Sequence, residues 1–245
     1  MFFSGIVKLF ESGNVCVTGL RGTGKDVICG NVIARRRSDY VSNLDYTNGK
    51  GYNKLDFDKI NVGRNTWENL LRGEPYYYEY PYPMGSDIYL SDAGIYFPAQ
   101  YCSELNKKYP YLPTYMALSR QVSHNNFHIN VQNLNRCWDK IREQSDIYIR
   151  CKRCVVLFGK LVIQKVVIYD KYDSCVARVE PCRVRVPILA MPARRQQAEM
   201  YVDNFRNQHG KVEGHWLFYI NRSKHDTYYF EKLFKNGRRI PTCAK

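Results

Sequence analysis

The sequence predicts an α/β fold built around a mostly parallel sheet, and three observations predict it. Strand-like and helix-like segments alternate through roughly the first 150 residues, the pattern left by a parallel sheet with crossover helices. A glycine-rich turn at 19–24 sits between a short apolar strand and a helix. The composition also supports a large core. Of 245 residues, 44% are hydrophobic and 14% aromatic, which excludes intrinsic disorder.

Each element has its own reason. Residues 14–18 read as a buried strand. Residues 25–37 read as a helix ending in Arg35, Arg36 and Arg37, cations that suit the negative end of its dipole. A strand at 41–44, a polar loop over 45–59 and a short helix at 66–71 follow. Three prolines within 73–85 bar a regular element there. Tyr76, Tyr77, Tyr78, Tyr80 and Tyr82 crowd that linker, where rings can stack on unpaired bases, cover the sheet or fill a subunit contact. A strand at 87–90, a helix at 113–123, a strand at 126–131, a helical stretch at 134–144 and a strand at 146–150 come next. Residues 155–169 and 175–186 read as strands, 195–208 as a helix and 216–220 as a last strand. The length suits one large domain or a domain with an appendage. We divide it into a core over 1–155 and a smaller β-rich extension over 156–245, within the same domain or appended to it.

Charge points to the partner. Lys and Arg exceed Asp and Glu by 14, which favours a polyanion, either nucleic acid or an anionic membrane surface. Arg35, Arg36 and Arg37, then Arg150, Lys152 and Arg153, then Arg194 and Arg195 form clusters suited to phosphates. No run of about 18 apolar residues predicts a membrane-spanning helix, and the first residues make a poor signal peptide. Nine cysteines, an odd number, then read as reduced thiols in a cytosolic setting. Cys151, Cys154, Cys175 and Cys182 are spaced too widely for a common zinc ribbon.

The sharpest motif is Gly19-Leu20-Arg21-Gly22-Thr23-Gly24-Lys25-Asp26, a G-x-x-x-x-G-K loop between a strand and a helix. Such a loop turns backbone N–H groups around a phosphate, and Lys25 would reach the β- and γ-phosphates of ATP. Asp26 stands where Ser or Thr normally ligates Mg²⁺. Its carboxylate either ligates the ion as a hard oxygen donor or acts through a water. Asp92, after a strand at 87–90, is the candidate for holding Mg²⁺ through water or orienting the attacking water. The strand ending at Val131-Gln132 offers Gln132 as a γ-phosphate sensor.

The order of these motifs, with Tyr96-Phe97-Pro98, Leu118-Ser119-Arg120-Gln121 and Ile141-Arg142-Glu143, resembles the zonula occludens toxin (Zot) family across roughly residues 12–155. These are filamentous-phage assembly ATPases of the wider FtsK/HerA group of DNA-pumping motors. The resemblance implies a RecA/FtsK-like P-loop NTPase core, ATP and Mg²⁺ as cofactors, and DNA, the phage genome, as the partner. It puts Ser91 where the family has its magnesium-associated Asp and Asp92 at the catalytic Glu. It puts Gln132 at the sensor and offers Arg120 or Arg142 as a trans arginine within a ring. The implied function is an ATP-driven motor for phage assembly, DNA packaging or extrusion. The alternative is an ATP-binding, weakly hydrolysing scaffold that organises an assembly site. A ring or dimer and a capsid or membrane assembly protein are the further partners implied. The implied location is the host bacterial cytoplasm, the inner-membrane periphery or the virion.

Overall fold

The computed structural model describes residues 3–58, 72, 82–122, 124–158, 160–184 and 191–223. The expected short helix at 66–71 and Tyr76, Tyr77, Tyr78 and Tyr80 of the linker lie outside them. The architecture is α/β, with one eight-stranded sheet among the described residues and helices on its faces. The strands are β1 (Val15–Thr18), β2 (Tyr40–Ser42), β3 (Tyr52–Lys54), β4 (Asp87–Leu90), β5 (Phe127–Val131), β6 (Ile147–Leu157), β7 (Leu161–Tyr169) and β8 (Val212–Ile220). Their spatial order is β3-β2-β4-β5-β1-β6-β7-β8. All pairs from β3 to β6 are parallel, whereas β6–β7 and β7–β8 are antiparallel.

The helices are α1 (Phe3–Ser12), α2 (Lys25–Arg36), α3 (Ala93–Tyr96), α4 (Cys102–Lys108), α5 (Leu112–Val122), α6 (Asp139–Arg142), α7 (Tyr172–Val176) and α8 (Pro192–His209). Central strands β1, β4 and β5 are buried at every position, so both faces carry a core. On one face, Ile6 and Phe10 of α1 and Ile28 and Val32 of α2 cover Val15, Val17 and Tyr89. On the other, Leu112, Tyr115 and Met116 of α5 and Trp138 cover Cys16, Ile88, Leu90 and Ile129. Fully burying each such side chain stabilises the fold by about 1.5–3 kcal/mol.

The structure corrects several sequence expectations. The stretch 45–59 is not all loop, because 52–54 pairs with β2 as the edge strand β3. The stretch 134–144 is a 3₁₀ turn at Leu134–Arg136 followed by the four-residue α6. Residues 155–169 are not one strand. Phe158 turns with φ 51° and the chain folds back as the β6–β7 hairpin. Residues 175–186 were expected as a strand. Their first part is the end of α7, whose first turn carries Asp173 where the helix dipole favours an anion. The rest is irregular as far as residue 184, ahead of the residues not described.

Candidate phosphate-binding site

The site forms where β1 runs into α2. Gly24 occupies the N-cap of α2 with φ 84°, a left-handed conformation that costs an L residue energy, and no side chain caps the helix. The first amides of α2 therefore lack the usual side-chain acceptor and are available to an anion. Within the loop, the Thr23 hydroxyl donates to the Leu20 carbonyl at 2.7 Å, and the Thr23 amide donates to the same oxygen at 3.3 Å. Lys25 is 5% exposed, and its Nζ donates to that carbonyl at 3.3 Å. A loop carbonyl thus holds the ammonium beside the phosphate loop.

A polar network fixes Asp26. Its Oδ1 accepts from Asn130 Nδ2 at 2.7 Å, from Ser91 Oγ at 3.3 Å and from the Tyr46 hydroxyl at 3.3 Å. Tyr46 and Ser91 are also in direct hydrogen-bond contact with each other. Burial first, then the Asp26 charge, pushes the Tyr46 phenol well above its usual range, so it remains a donor. Ser91 is locked in turn, because its amide donates to Asn43 Oδ1 at 2.8 Å and its carbonyl accepts from Asn43 Nδ2 at 3.0 Å.

Sheet order explains this gathering. β5 lies between β1 and β4, so the strand carrying the Ser91-Asp92 turn is one strand away from the loop strand rather than beside it. Asn130 on β5 bridges that gap. Asn130 was not singled out from the sequence, although it shares Gln132's strand parity, the two positions pointing the same way at a spacing of two. Ser91 was assigned a position and no role. Tyr46 lay in the expected loop and carried no signal at all.

Gln132 is exposed and lines a cavity of about 390 Å³ with Thr18, Gly19, Leu20 and Thr23. Arg150, Lys152 and Arg178 line the same cavity, giving it a cationic wall. Two of these belong to an expected basic cluster, and Arg178 does not. Asp92 is the left-handed N-cap of α3, with φ 50° and ψ 47°. Arg120 is exposed and donates to the Ser12 carbonyl at 2.6 Å, at the end of β1 opposite the loop. Arg142 is engaged within its own chain, donating to the carbonyls of Leu134 and Cys137 at 3.0 and 3.2 Å and lying 5.1 Å from the Tyr172 ring centroid. Arg36 does not face outward as a phosphate tracker, since it pairs with Asp87 at the start of β4.

The donor set suits Mg²⁺, which takes oxygen ligands and keeps several from water or phosphate. Asp26 and Ser91 supply a carboxylate and a hydroxyl. Asn130, 2% exposed, has a buried Oδ1 without a hydrogen-bond partner among the described residues. Among the described residues, no three His, Cys, Asp or Glu side chains form a group that could hold a metal ion on their own. Burial pushes the Cys151 and Cys175 thiols up to about 12, so both stay protonated at neutral pH.

No family model matches the chain, and no curated protein does. Solved structures do. The N-terminal domain of zonular occludens toxin from Neisseria meningitidis is 11% identical, with a TM-score of 0.45, across 88% of this chain and 97% of that one. The genome packaging NTPase B204 from Sulfolobus turreted icosahedral virus 2, in complex with AMPPCP, is 13% identical, with a TM-score of 0.39, across 65% of this chain and 93% of that one. EssC (ATPases 2 and 3) from Geobacillus thermodenitrificans is 12% identical, with a TM-score of 0.40, across 96% of this chain and 46% of that one.

Proposed function

We propose that this chain is a P-loop ATPase that moves phage-type DNA during assembly, packaging or extrusion. The observation that carries the reading is the uncapped start of α2, entered through left-handed Gly24, with buried Lys25 and the Asp26 network directly behind it. The loop amides and Lys25 bind the triphosphate, and the cavity wall of Arg150, Lys152 and Arg178 adds positive charge beside them. Asp26 would hold Mg²⁺, which would supply positive charge against the bound phosphates. Asp92, next to Ser91 along the chain, orients the attacking water, and Gln132, which lines the cavity, senses the γ-phosphate. A ring or dimer supplies the trans arginine, for which the exposed Arg120 is placed better than Arg142, which is engaged within its own chain. The net charge of +14 supports DNA as the polyanion. No helix among the described residues is long and apolar enough to cross a membrane.

One observation favours the second reading, an ATP-binding scaffold with weak turnover. The end of β4 presents a serine to Asp26, where a motor of this kind has a carboxylate. ATP hydrolysis with and without DNA, compared between the native chain and Lys25→Ala, decides between the two. The motor shows DNA-stimulated turnover that the variant loses. Tight nucleotide binding with negligible turnover establishes the scaffold, and absence of nucleotide binding rejects both.

A further inference from the structure

We propose that the hydroxyl and the carboxylate of a phosphate-loop magnesium site have exchanged places in this chain. Asp26 carries the carboxylate on the helix side, and Ser91 carries the hydroxyl on the strand side. The inference rests on the nucleotide reading of the loop given above.

In the usual arrangement, the residue after the loop lysine is Ser or Thr, and an Asp ends the facing strand. Here both positions are filled by the other's chemistry. The two side chains still meet, with Ser91 Oγ donating to Asp26 Oδ1 at 3.3 Å. The pair therefore keeps one hydroxyl and one carboxylate, and the site lacks neither group. What looks in the sequence like two separate departures is a single reciprocal exchange across a contact.

Three features favour a working site over a damaged one. All three hydrogen bonds to Asp26 arrive at Oδ1, and among the described residues none reaches Oδ2. One carboxylate oxygen is thus held and the other is available to a cation. The Asn130 amide that donates to Asp26 has a buried Oδ1 with no hydrogen-bond partner among the described residues, at an energetic cost unless something binds there. Asp26 also lies in the first turn of α2, where the helix's partial positive charge favours an anion. That field offsets part of the repulsion between a carboxylate and a bound triphosphate.

The test is titration of the full-length chain with a fluorescent ATP analogue, with Mg²⁺ and with EDTA, for the native protein, Asp26→Asn, Asp26→Ser, Ser91→Asp and the double exchange. Asp26→Asn keeps the Oδ1 acceptor, removes the charge and replaces the oxygen facing the cation by an amide donor. Outer partners of a bound ion are worth about 10–100-fold in its affinity, and a carboxylate facing the ion directly is worth at least as much. The magnesium-dependent gain in nucleotide affinity is therefore expected to fall by about tenfold or more in Asp26→Asn and Asp26→Ser. Ser91→Asp alone places two carboxylates beside the phosphates and weakens binding. The double exchange recovers the magnesium response of the native chain. The proposal is overturned if Asp26→Asn keeps that response, or if the double exchange binds no better than the weaker single variant. Melting temperatures accompany each titration. Should the exchange variants fail to fold, Asp26→Asn alone decides. A native chain that binds no nucleotide removes the underlying reading as well, whereas one that binds without any magnesium response overturns only the exchange.

Discussion

Gln164 donates a hydrogen bond to the carbonyl oxygen of Gly24 at 3.0 Å, although the two lie 140 residues apart. The same Nε2 reaches the Thr23 carbonyl at 3.1 Å, and the Tyr219 hydroxyl donates to Gln164 Oε1 at 2.6 Å. Strands β7 and β8 therefore grip the phosphate loop from outside the parallel sheet. Gln164 is fully buried, so removing its amide takes the donor from the Thr23 carbonyl, whereas the Gly24 carbonyl still accepts from the Ile28 amide at 3.1 Å. Burying an unpaired acceptor costs about 1–3 kcal/mol.

Gln164→Ala is accordingly expected to weaken nucleotide binding about tenfold, roughly 1.4 kcal/mol. Tyr219→Phe, which leaves the amide in place, loses less. Isothermal titration with ATP measures both. Unchanged affinity in Gln164→Ala would mean that the loop holds its shape without the β7 strand.

Gly24→Ala probes the same contact from the loop side. An added Cβ would stand 2.6 Å from Cys154 Cβ and 2.8 Å from Gln164 Nε2, at a φ of 84°. The left-handed conformation costs about 1–2 kcal/mol for an L residue, and overpacking adds about 1–3 kcal/mol. A fall in melting temperature of roughly 4–12 °C is expected for a chain of this size. Nucleotide binding should be lost before the fold is. Differential scanning calorimetry beside a binding titration reads the two effects separately.

Much of the frame was legible in the sequence because its signals are local. The β1 strand, the glycine turn and the start of α2 follow one another without interruption, so spacing alone located the loop. β5 and α5 were likewise found within a residue or two by their apolar pattern. The Asp26 network was not legible, because its members come from positions 26, 46, 91 and 130 and only the strand order brings them together. Tyr46 sat in a stretch read as loop, and Gln164 sat in a strand whose burial signal concealed a polar residue. The helix at Tyr172–Val176 was missed for the opposite reason, since five residues carry too little periodicity to outweigh their apolar content.

Trp138 ties the loop after β5 to the turn after β4. Its amide donates to the Phe97 carbonyl at 2.8 Å, its ring lies 6.1 Å from that of Phe97, and Pro98 bridges to Cys137 beside it. The side chain is 1% exposed, and its Nε1 has no hydrogen-bond partner among the described residues. Trp138→Ala should cost about 3–5 kcal/mol through the cavity it leaves. Trp138→Phe gives up volume but also removes a stranded donor, so it should cost well under half of that. Chemical denaturation of the two variants tests the ordering. Equal losses would show that the indole N–H is satisfied in solution.

The last prediction concerns pH. His128 on β5 is buried between the rings of Phe10 and Tyr89, at 4.8 and 4.7 Å between centroids. The Val15 amide donates to its Nδ1 at 3.2 Å, so the ring proton sits on Nε2, which faces Asp87 Oδ2 at 3.3 Å. Arg36 also pairs with that carboxylate. Burial, and then the Arg36 charge, hold the His128 pKa well below its usual 6.5. The unfolded chain takes up a proton near that value, and the folded chain does so only at markedly lower pH. Between those limits the unfolded state binds more protons, so stability rises with pH. The His128 contribution is complete above pH 6.5 and is lost as pH falls from there toward the folded pKa, at up to about 1.4 kcal/mol per pH unit. Urea denaturation at pH 7.5, 6.5 and 5.5 measures the slope above the range where most carboxylates titrate. His128→Asn keeps an acceptor for Val15 and removes the titrating group. It is expected to be less stable at pH 7.5 yet flatter with pH, by about one proton's worth of slope. Parallel slopes in the two proteins would show that His128 is not the source of the acid sensitivity.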